Sequence, residues 1–281
     1  MKILLTGADG FIGKNFLENT TSNSVFTVSR STIESDKIYQ NYIGDLTDES
    51  FIKEIAIEKF DMIIHAAWSG LPNLTKNVNL LNFTMYRNII DVLSKNPGTK
   101  HIFLGSCLEY GNIKGEVNED AQGAEIDNFG QTKLELLKYI RSSKINHNWL
   151  RLFYAFGPYQ HSNSFMRSIA RDIYYGRNIV ISNPSKTHDF IYIKDVISLI
   201  DKMLNTNINK GVYNCGNGIP VSLGKITNTV LNIMLKNSEF KEETELALFA
   251  DINKAKKDFN WSPNYSLESG IIETLKMIKN D

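Results

Sequence analysis

Three glycines spaced three apart, in Thr6-Gly7-Ala8-Asp9-Gly10-Phe11-Ile12-Gly13, are the residues whose type and spacing most directly serve a chemistry. A short apolar run, Ile3-Leu4-Leu5, precedes them, and a segment suited to a helix comes after. Such a turn lets the backbone approach a pyrophosphate closely, and the free N–H groups and positive end of the next helix then face the anion. Gly7 permits the turn, Gly10 keeps a side chain out of the phosphate path, and Gly13 lets helix pack on strand. Phe11 and Ile12 open that helix and are counted with the glycines as cofactor-binding. The spacing is not the G-x-G-x-x-G of the general dinucleotide fingerprint, so the weight of the motif comes from its place between strand and helix.

The elements that must carry this turn can be read along the first half of the chain, where short β-rich runs alternate with helical patterns. Strands are expected near Lys2–Leu5, Ser24–Val28, Tyr39–Ile43, Asp61–Ala66, His101–Gly105 and Trp149–Phe153. Helices are expected near Phe11–Asn19, Asp48–Glu58, Val78–Lys95 and Asn128–Ser142, with Thr47-Asp48 a capping signal for the second. The pattern is that of an α/β protein with a Rossmann-type doubly wound parallel sheet. From Gly157-Pro158 onward turns cluster, at Asn183-Pro184-Ser185, Gly216-Asn217-Gly218 and Ser262-Pro263-Asn264. They imply a small C-terminal α+β lobe, with a division at residues 1–156 and 157–281 and some interweaving of the two parts.

The 281 residues suffice for a large core, and the 31 basic and 31 acidic residues leave a formal charge of +0. That balance offers no footprint for nucleic acid or an anionic membrane. No segment has the length and apolarity of a membrane span or the form of a signal peptide, so the expected location is the cytoplasm. Two cysteines, Cys107 and Cys215, make no disulfide framework, and the five histidines are scattered, so no metal site is expected.

With the elements placed, the chain resembles the extended short-chain dehydrogenase/reductases that act as nucleotide-sugar epimerases, dehydratases and reductases. Beyond Thr6–Gly13, the resemblance rests on Gly44-Asp45-Leu46-Thr47-Asp48, Asp61-Met62-Ile63-Ile64-His65-Ala66-Ala67 and Leu104-Gly105-Ser106 with Tyr110-Gly111. It continues through Leu150-Arg151-Leu152-Phe153, Phe156-Gly157-Pro158, His188 to Val196, Val212 to Gly216, Asp251 to Lys256, and Trp261-Ser262-Pro263. It implies a first lobe holding a nicotinamide cofactor, a C-terminal lobe holding a nucleotide sugar, and a homodimer formed through the helices at Val78–Lys95 and Asn128–Ser142.

The family's chemistry uses a Ser or Thr, a Tyr and a Lys, the last two as Y-x-x-x-K on one helix face. The resemblance gives Ser106 the hydroxyl that holds the reacting oxygen. It gives Lys133 the amine that binds the cofactor ribose and lowers the tyrosine's pKa. The segment here reads Phe129-Gly130-Gln131-Thr132-Lys133, and Phe129 can neither give nor take a proton. Three readings stay open: an introduced Tyr→Phe replacement, a natural enzyme whose proton comes from Ser106, water or substrate, and a natural protein that binds without turnover.

The second strand ends Val28-Ser29-Arg30-Ser31, with no acid to bond the 2′-OH of NAD. NADP(H) is therefore the expected cofactor in preference to NAD, with Arg30, Ser29 and Ser31 on its phosphate. By resemblance Asp45 and Leu46 meet the adenine, Ala66 and Ala67 line the diphosphate and ribose path, and Phe153 belongs to the same site. Family 4,6-dehydratases carry an acidic pair directly after the active-site Ser/Thr, where this chain has Cys107 and Leu108. Double epimerases of the GDP-fucose synthase type place a cysteine two residues after it, where Leu108 stands. What remains is reduction of a keto-sugar, or epimerisation at C4 with retained NAD. The NADP expectation and a compact length resembling CDP-abequose and CDP-paratose synthases favour an NADPH-dependent 4-ketoreductase of a nucleotide-linked 4-keto-6-deoxy sugar, as used in surface-polysaccharide biosynthesis. A non-catalytic NADP(H)-binding protein is the third possibility. Expected substrate contacts are Trp68 and Ser69, in the loop reaching Pro72, with Cys107, Leu108, Tyr154, Arg167 and His188. His188 replaces an arginine of the relatives, and Arg171 is an alternative partner for a diphosphate.

Overall fold

The structure is a computed structural model that describes residues 1–22, 24–71, 75–93, 96, 98–143, 145–207, 210–234 and 239–278. Its elements begin β1 (Ile3–Thr6), α1 (Phe11–Asn19), β2 (Val25–Ser29), β3 (Ile38–Ile43), α2 (Glu49–Ile55), β4 (Met62–His65), α3 (Lys76–Leu93) and β5 (Lys100–Ser106). A 3-10 helix (Cys107–Tyr110), β6 (Gly115–Val117), α4 (Asn128–Ser142), β7 (Asn146–Leu152), β8 (Tyr154–Phe156), α5 (Phe165–Tyr174) and β9 (Thr187–Tyr192) come next. The chain ends with α6 (Ile193–Leu204), β10 (Lys210–Cys215), β11 (Pro220–Ser222), α7 (Leu223–Ile233), β12 (Leu248–Ala250), α8 (Asn253–Phe259) and α9 (Leu267–Ile278).

One compact unit comprises Met1–Asn112, Gln122–Leu152 and Ile200–Tyr213. Its sheet runs in the order β10-β7-β5-β4-β1-β2-β3. The pairs β1–β2, β1–β4, β2–β3, β4–β5 and β5–β7 are all parallel. The chain winds outward from β1 to β3 and then returns to the other side of β1 with β4. The strand order therefore reverses between β1 and β4, and sheets of this kind bind ligands outside the carboxyl ends of the strands at that point. β1, β2 and β4 are buried along their whole length, the reason they read as unbroken apolar runs rather than alternations. Leu4, Phe26, Ile63, Ile89, Phe103 and Trp149 belong to the unit's core.

The strands and helices expected in the first half are present, with small shifts at their ends. The second helix is shorter than expected, and Asp48 caps it by accepting from the Ser50 N–H. The third helix begins earlier, at Lys76, while its expected end at Lys95 and the loop residue Pro72 lie outside the described residues.

The other unit comprises Ile113–Ala121, Phe153–Leu199 and Asn214–Asp281. It is α+β: a three-stranded sheet in the order β11-β9-β8 and a two-stranded β12-β6 pair, with α5 and α7–α9. Residues 153–156, grouped with the first lobe in the sequence, fall in this unit, as do residues 113–121.

Candidate active site

The carboxyl ends of β1 and β4 open on a cleft of about 210 Å³ lined by Gly7, Gly10, Arg30, Asp45, Leu46 and Ala66–Ser69 among others. Gly7 has φ +69°, and a Cβ there would sit 2.6 Å from the Ala67 backbone nitrogen, so the turn and the loop after β4 touch only because position 7 has no side chain. A Cβ on Gly13 would lie 2.2 Å from the Gly7 carbonyl oxygen, which fixes the approach of α1 to the turn. Gly10 is the N-cap of α1, and no side chain caps the helix. Its first N–H groups therefore face the cleft as an anion cradle, which fits the diphosphate of a dinucleotide.

On the far side of the cleft, the Asp45 carboxylate accepts from the Thr47 N–H and hydroxyl at 2.9 Å, which hold its pKa below the ordinary carboxylate range. Arg30 is exposed on the lip, and its charge lowers Asp45 further. Ser29 is buried and donates its hydroxyl to the Ser31 carbonyl at 2.5 Å, so of the expected trio Arg30 is the one that presents a free-standing charge to the cleft.

Ser106 ends β5 and caps the 3-10 helix. Its Oγ accepts from the Leu108 N–H at 3.2 Å, and its own N–H donates to Glu109 Oε1 at 2.7 Å. Cys107 is buried, and Leu108 is half-buried. α4 packs directly on this segment because Gly130 lacks a side chain; a Cβ there would meet the Leu108 carbonyl oxygen at 2.4 Å. Asp127 caps α4 through the Gly130 N–H at 2.7 Å. That contact brings Lys133 beneath β5, where its ammonium donates to the Leu104 carbonyl at 2.8 Å. Burial lowers the Lys133 pKa to about 7, against a raising influence from Glu109. The indole of Trp68 lies over the same ammonium, 3.4 Å from ring centroid to Nζ, and meets the Phe129 ring edge-on at 5.4 Å. Phe129, Lys133 and Trp68 are thus neighbours, and the indole rather than the ammonium forms the cleft wall.

Sequence reasoning did not single out the residues that hold this arrangement. Glu109 is a buried carboxylate that accepts from Arg151 Nε at 2.7 Å and from Trp149 Nε1 at 3.0 and 3.1 Å. Desolvation raises its pKa, and the Arg151 guanidinium opposes that rise. Gly105 makes the pocket for it, since a Cβ there would lie 2.1 Å from Trp149 Nε1. On α3, the Tyr86 hydroxyl donates to the Ala67 carbonyl at 2.6 Å, and Asn82 bonds both the N–H and the C=O of Ser69.

In the second unit, Tyr154 and His188 come together as stacked rings with centroids 3.8 Å apart. Burial lowers the His188 pKa to about 4, so it is a neutral ring at physiological pH. Phe153 is buried, with its N–H on the Cys215 carbonyl. Arg167 donates to the Gln160 carbonyl; burial lowers its pKa, and the like charge of Arg171 lowers it further. Among the described residues no cluster of His, Cys, Asp and Glu is placed to hold a metal ion, and no helix is long and apolar enough to cross a membrane.

The sequence signature described as the NAD dependent epimerase/dehydratase family matches residues 3–216. An uncharacterized UDP-glucose epimerase of Bacillus subtilis is 25% identical over 312 residues, covering 100% of this chain and 98% of that protein. The fold is shared with a UDP-glucuronic acid 4-epimerase from Bacillus cereus, solved with UDP-glucuronic acid and NAD, at TM-score 0.87 and 23% identity over 100% of this chain and 99% of that one. It is also shared with a dTDP-glucose 4,6-dehydratase from Bacillus anthracis, solved with NAD, at TM-score 0.83 and 19% identity over 100% and 97% of the chains.

Proposed function

The chain belongs to the NAD dependent epimerase/dehydratase family, and from that premise we propose that it reduces the 4-keto group of a nucleotide-linked 4-keto-6-deoxy sugar with NADPH. The observation that carries this reading is the pair of residues directly after Ser106. A buried thiol and a half-buried leucine occupy positions 107 and 108, so elimination of water lacks an acid and a base there, while a hydroxyl and a buried amine stand ready beside β5. Arg30, an exposed cation on the cleft lip, favours the 2′-phosphate of NADP over NAD.

A nicotinamide dinucleotide bound in the cleft supplies hydride-transfer chemistry. The Gly7–Gly13 turn and the uncapped N-terminus of α1 hold its diphosphate, Asp45 and Leu46 flank the adenine, and Lys133 binds the ribose next to the reacting carbon. Ser106 donates to the oxygen on which charge develops. Phe129 leaves the usual proton donor missing, and loss of a general acid costs about 10²–10⁴ in rate. Trp68 and Ser69 border the sugar's path, and α3 and α4 supply the surface for a homodimer.

A second reading is a C4 epimerase that retains NAD. It is favoured by the epimerase names of the Bacillus subtilis and Bacillus cereus relatives and by the NAD bound in the latter. The deciding assay measures NADPH consumption by the given chain and by Phe129→Tyr, with dTDP-, CDP-, GDP- and UDP-linked 4-keto-6-deoxy sugars. Turnover should appear, or rise about a hundredfold or more, with tyrosine at 129. Equal rates in both would refute the assigned proton path. Silence in both, with epimerisation running without added NADPH on retained NAD, would replace reduction by the second reading.

A further inference from the structure

The Lys133 ammonium is 5% exposed as a residue and carries three donors, so its partners decide whether it stays charged. One side meets the Leu104 carbonyl at 2.8 Å. The residue one helical turn earlier is Phe129, whose ring centroid is 5.5 Å from Nζ and which has no oxygen to offer. The other side meets the face of Trp68 at 3.4 Å.

We propose that Trp68 is a positioning residue for Lys133, its indole face lying on the ammonium beneath the cleft wall and favouring its charged form. The inference rests on the reading of Lys133 as the ribose-binding amine.

Three observations carry it. Among the described residues the buried Nε1 has no hydrogen-bond partner, so it is the ring face on Lys133 that relates the indole to the site. The loop bearing it is fixed from α3, by Tyr86 on the Ala67 carbonyl and by Asn82 on both backbone groups of Ser69. The indole also packs against Phe129, with ring centroids 5.4 Å apart and planes at 88°, so residue 129 helps to hold the ring that lies on the ammonium. An ammonium over an indole face is favoured most where both are desolvated. The gain matters here because burial has already brought Lys133 to about 7, where a modest partner shifts its charge at working pH.

Titratable groups on the elements packed around it include Cys107, Glu109 and Tyr110 of the 3-10 helix, His147 and Arg151 of β7, Tyr86, Arg87 and Asp91 of α3, Lys100 and His101 of β5, and His65 of β4. Glu109 raises the Lys133 pKa, but its oxygens are engaged by Arg151, Trp149 and the Ser106 N–H. Arg151 lies over Tyr110. Tyr86 is pushed up and His65 well down by burial, so both are neutral near pH 7.

Two measurements on the cofactor-free protein test the proposal, so their outcome is separate from that of the turnover assay. The first is tryptophan emission from about pH 6 to pH 8.5. Trp149 and Trp261 are buried in their own hydrogen-bonded sites. A step with a midpoint near 7 that vanishes in Lys133→Met is expected. The second is the 15N resonance of Lys133 Nζ, assigned by its loss in Lys133→Met. Its midpoint should fall by about one pH unit in Trp68→Leu and by less than half as much in Trp68→Phe, which keeps a π face. An emission step that survives in Lys133→Met, or a midpoint unmoved in Trp68→Leu, overturns the proposal. If Trp68→Leu does not fold, the emission comparison and Trp68→Phe still decide it, the latter by a midpoint that drops a full unit.

Discussion

Replacing Lys133 with methionine should make the protein more stable at neutral and acidic pH, and less so as pH rises. An unfolded chain holds a lysine proton up to the ordinary 10.5, whereas burial brings Lys133 to about 7 in the fold. The gap of about 3.5 pH units corresponds to roughly 5 kcal/mol of destabilisation at about 1.4 kcal/mol per unit. Below about pH 7 both states hold the proton, and the folded state bears this penalty in full. Between about 7 and 10.5 the unfolded state binds a proton that the folded state does not, so stability increases with pH across that window. Methionine has a similar length and no charge, and the change also takes a donor from the Leu104 carbonyl, a loss of about 1–3 kcal/mol that does not depend on pH. Urea unfolding of both proteins at about pH 6, 7, 8 and 9 separates the two effects. The advantage of Lys133→Met over the parent should be largest at the two lowest values and shrink by about 1.4 kcal/mol per unit above 7. A difference that stays flat from about pH 6 to pH 9 would refute the lowered pKa of the buried amine.

Gly7→Ala should abolish dinucleotide binding and destabilise the fold by more than the ~1–2 kcal/mol of a left-handed non-glycine residue, because its Cβ would meet Ala67 backbone atoms at 2.6 and 2.7 Å. Gly176→Ala is the internal control: φ is +65° but nothing lies within 4 Å of the new Cβ, so it should show the backbone cost alone in urea unfolding. Glu109→Ala leaves Arg151 charged and 6% exposed, with the Trp149 and Ser106 N–H groups orphaned, and should cost about 3–5 kcal/mol. The double change Glu109→Ala with Arg151→Met should cost less than the single one; if it costs more, the ion pair is not the feature the pocket is built around.

The features legible in the sequence were those that depend on neighbours along the chain. β1, the glycine turn and α1 succeed one another within a few residues, and the spacing of positions 129 and 133 puts them on one helix face whatever the tertiary context. Resemblance supplied Ser106 in the same way, since its neighbours Gly105, Tyr110 and Gly111 are local. The site's supports depend instead on strand register. Glu109 finds Trp149 and Arg151 because β5 and β7 pair with Phe103 opposite Trp149 and Gly105 opposite Arg151, and because Gly105 leaves room for an indole nitrogen. No local pattern marks Glu109 as buried; taken alone it is an acid in a polar turn.

His188 shows the same limit from the other side. The sequence left open whether it would donate to a phosphate as a neutral or a charged ring; burial, beside the stacked Tyr154, makes it the neutral one, with a single N–H to give. Phe129 carries the point furthest. In the sequence it is a missing hydroxyl, a defect in an otherwise complete pattern. In the structure it is also a packing surface for an indole whose face lies on Lys133. That indole comes from a loop more than sixty residues away in the chain. Restoring tyrosine at 129 therefore changes two things, the proton supply and the seat of Trp68. A rate gain in Phe129→Tyr accompanied by an unchanged Lys133 midpoint would assign the gain to the proton. A gain accompanied by a raised midpoint would show that the phenol oxygen had joined the indole as a partner of the ammonium.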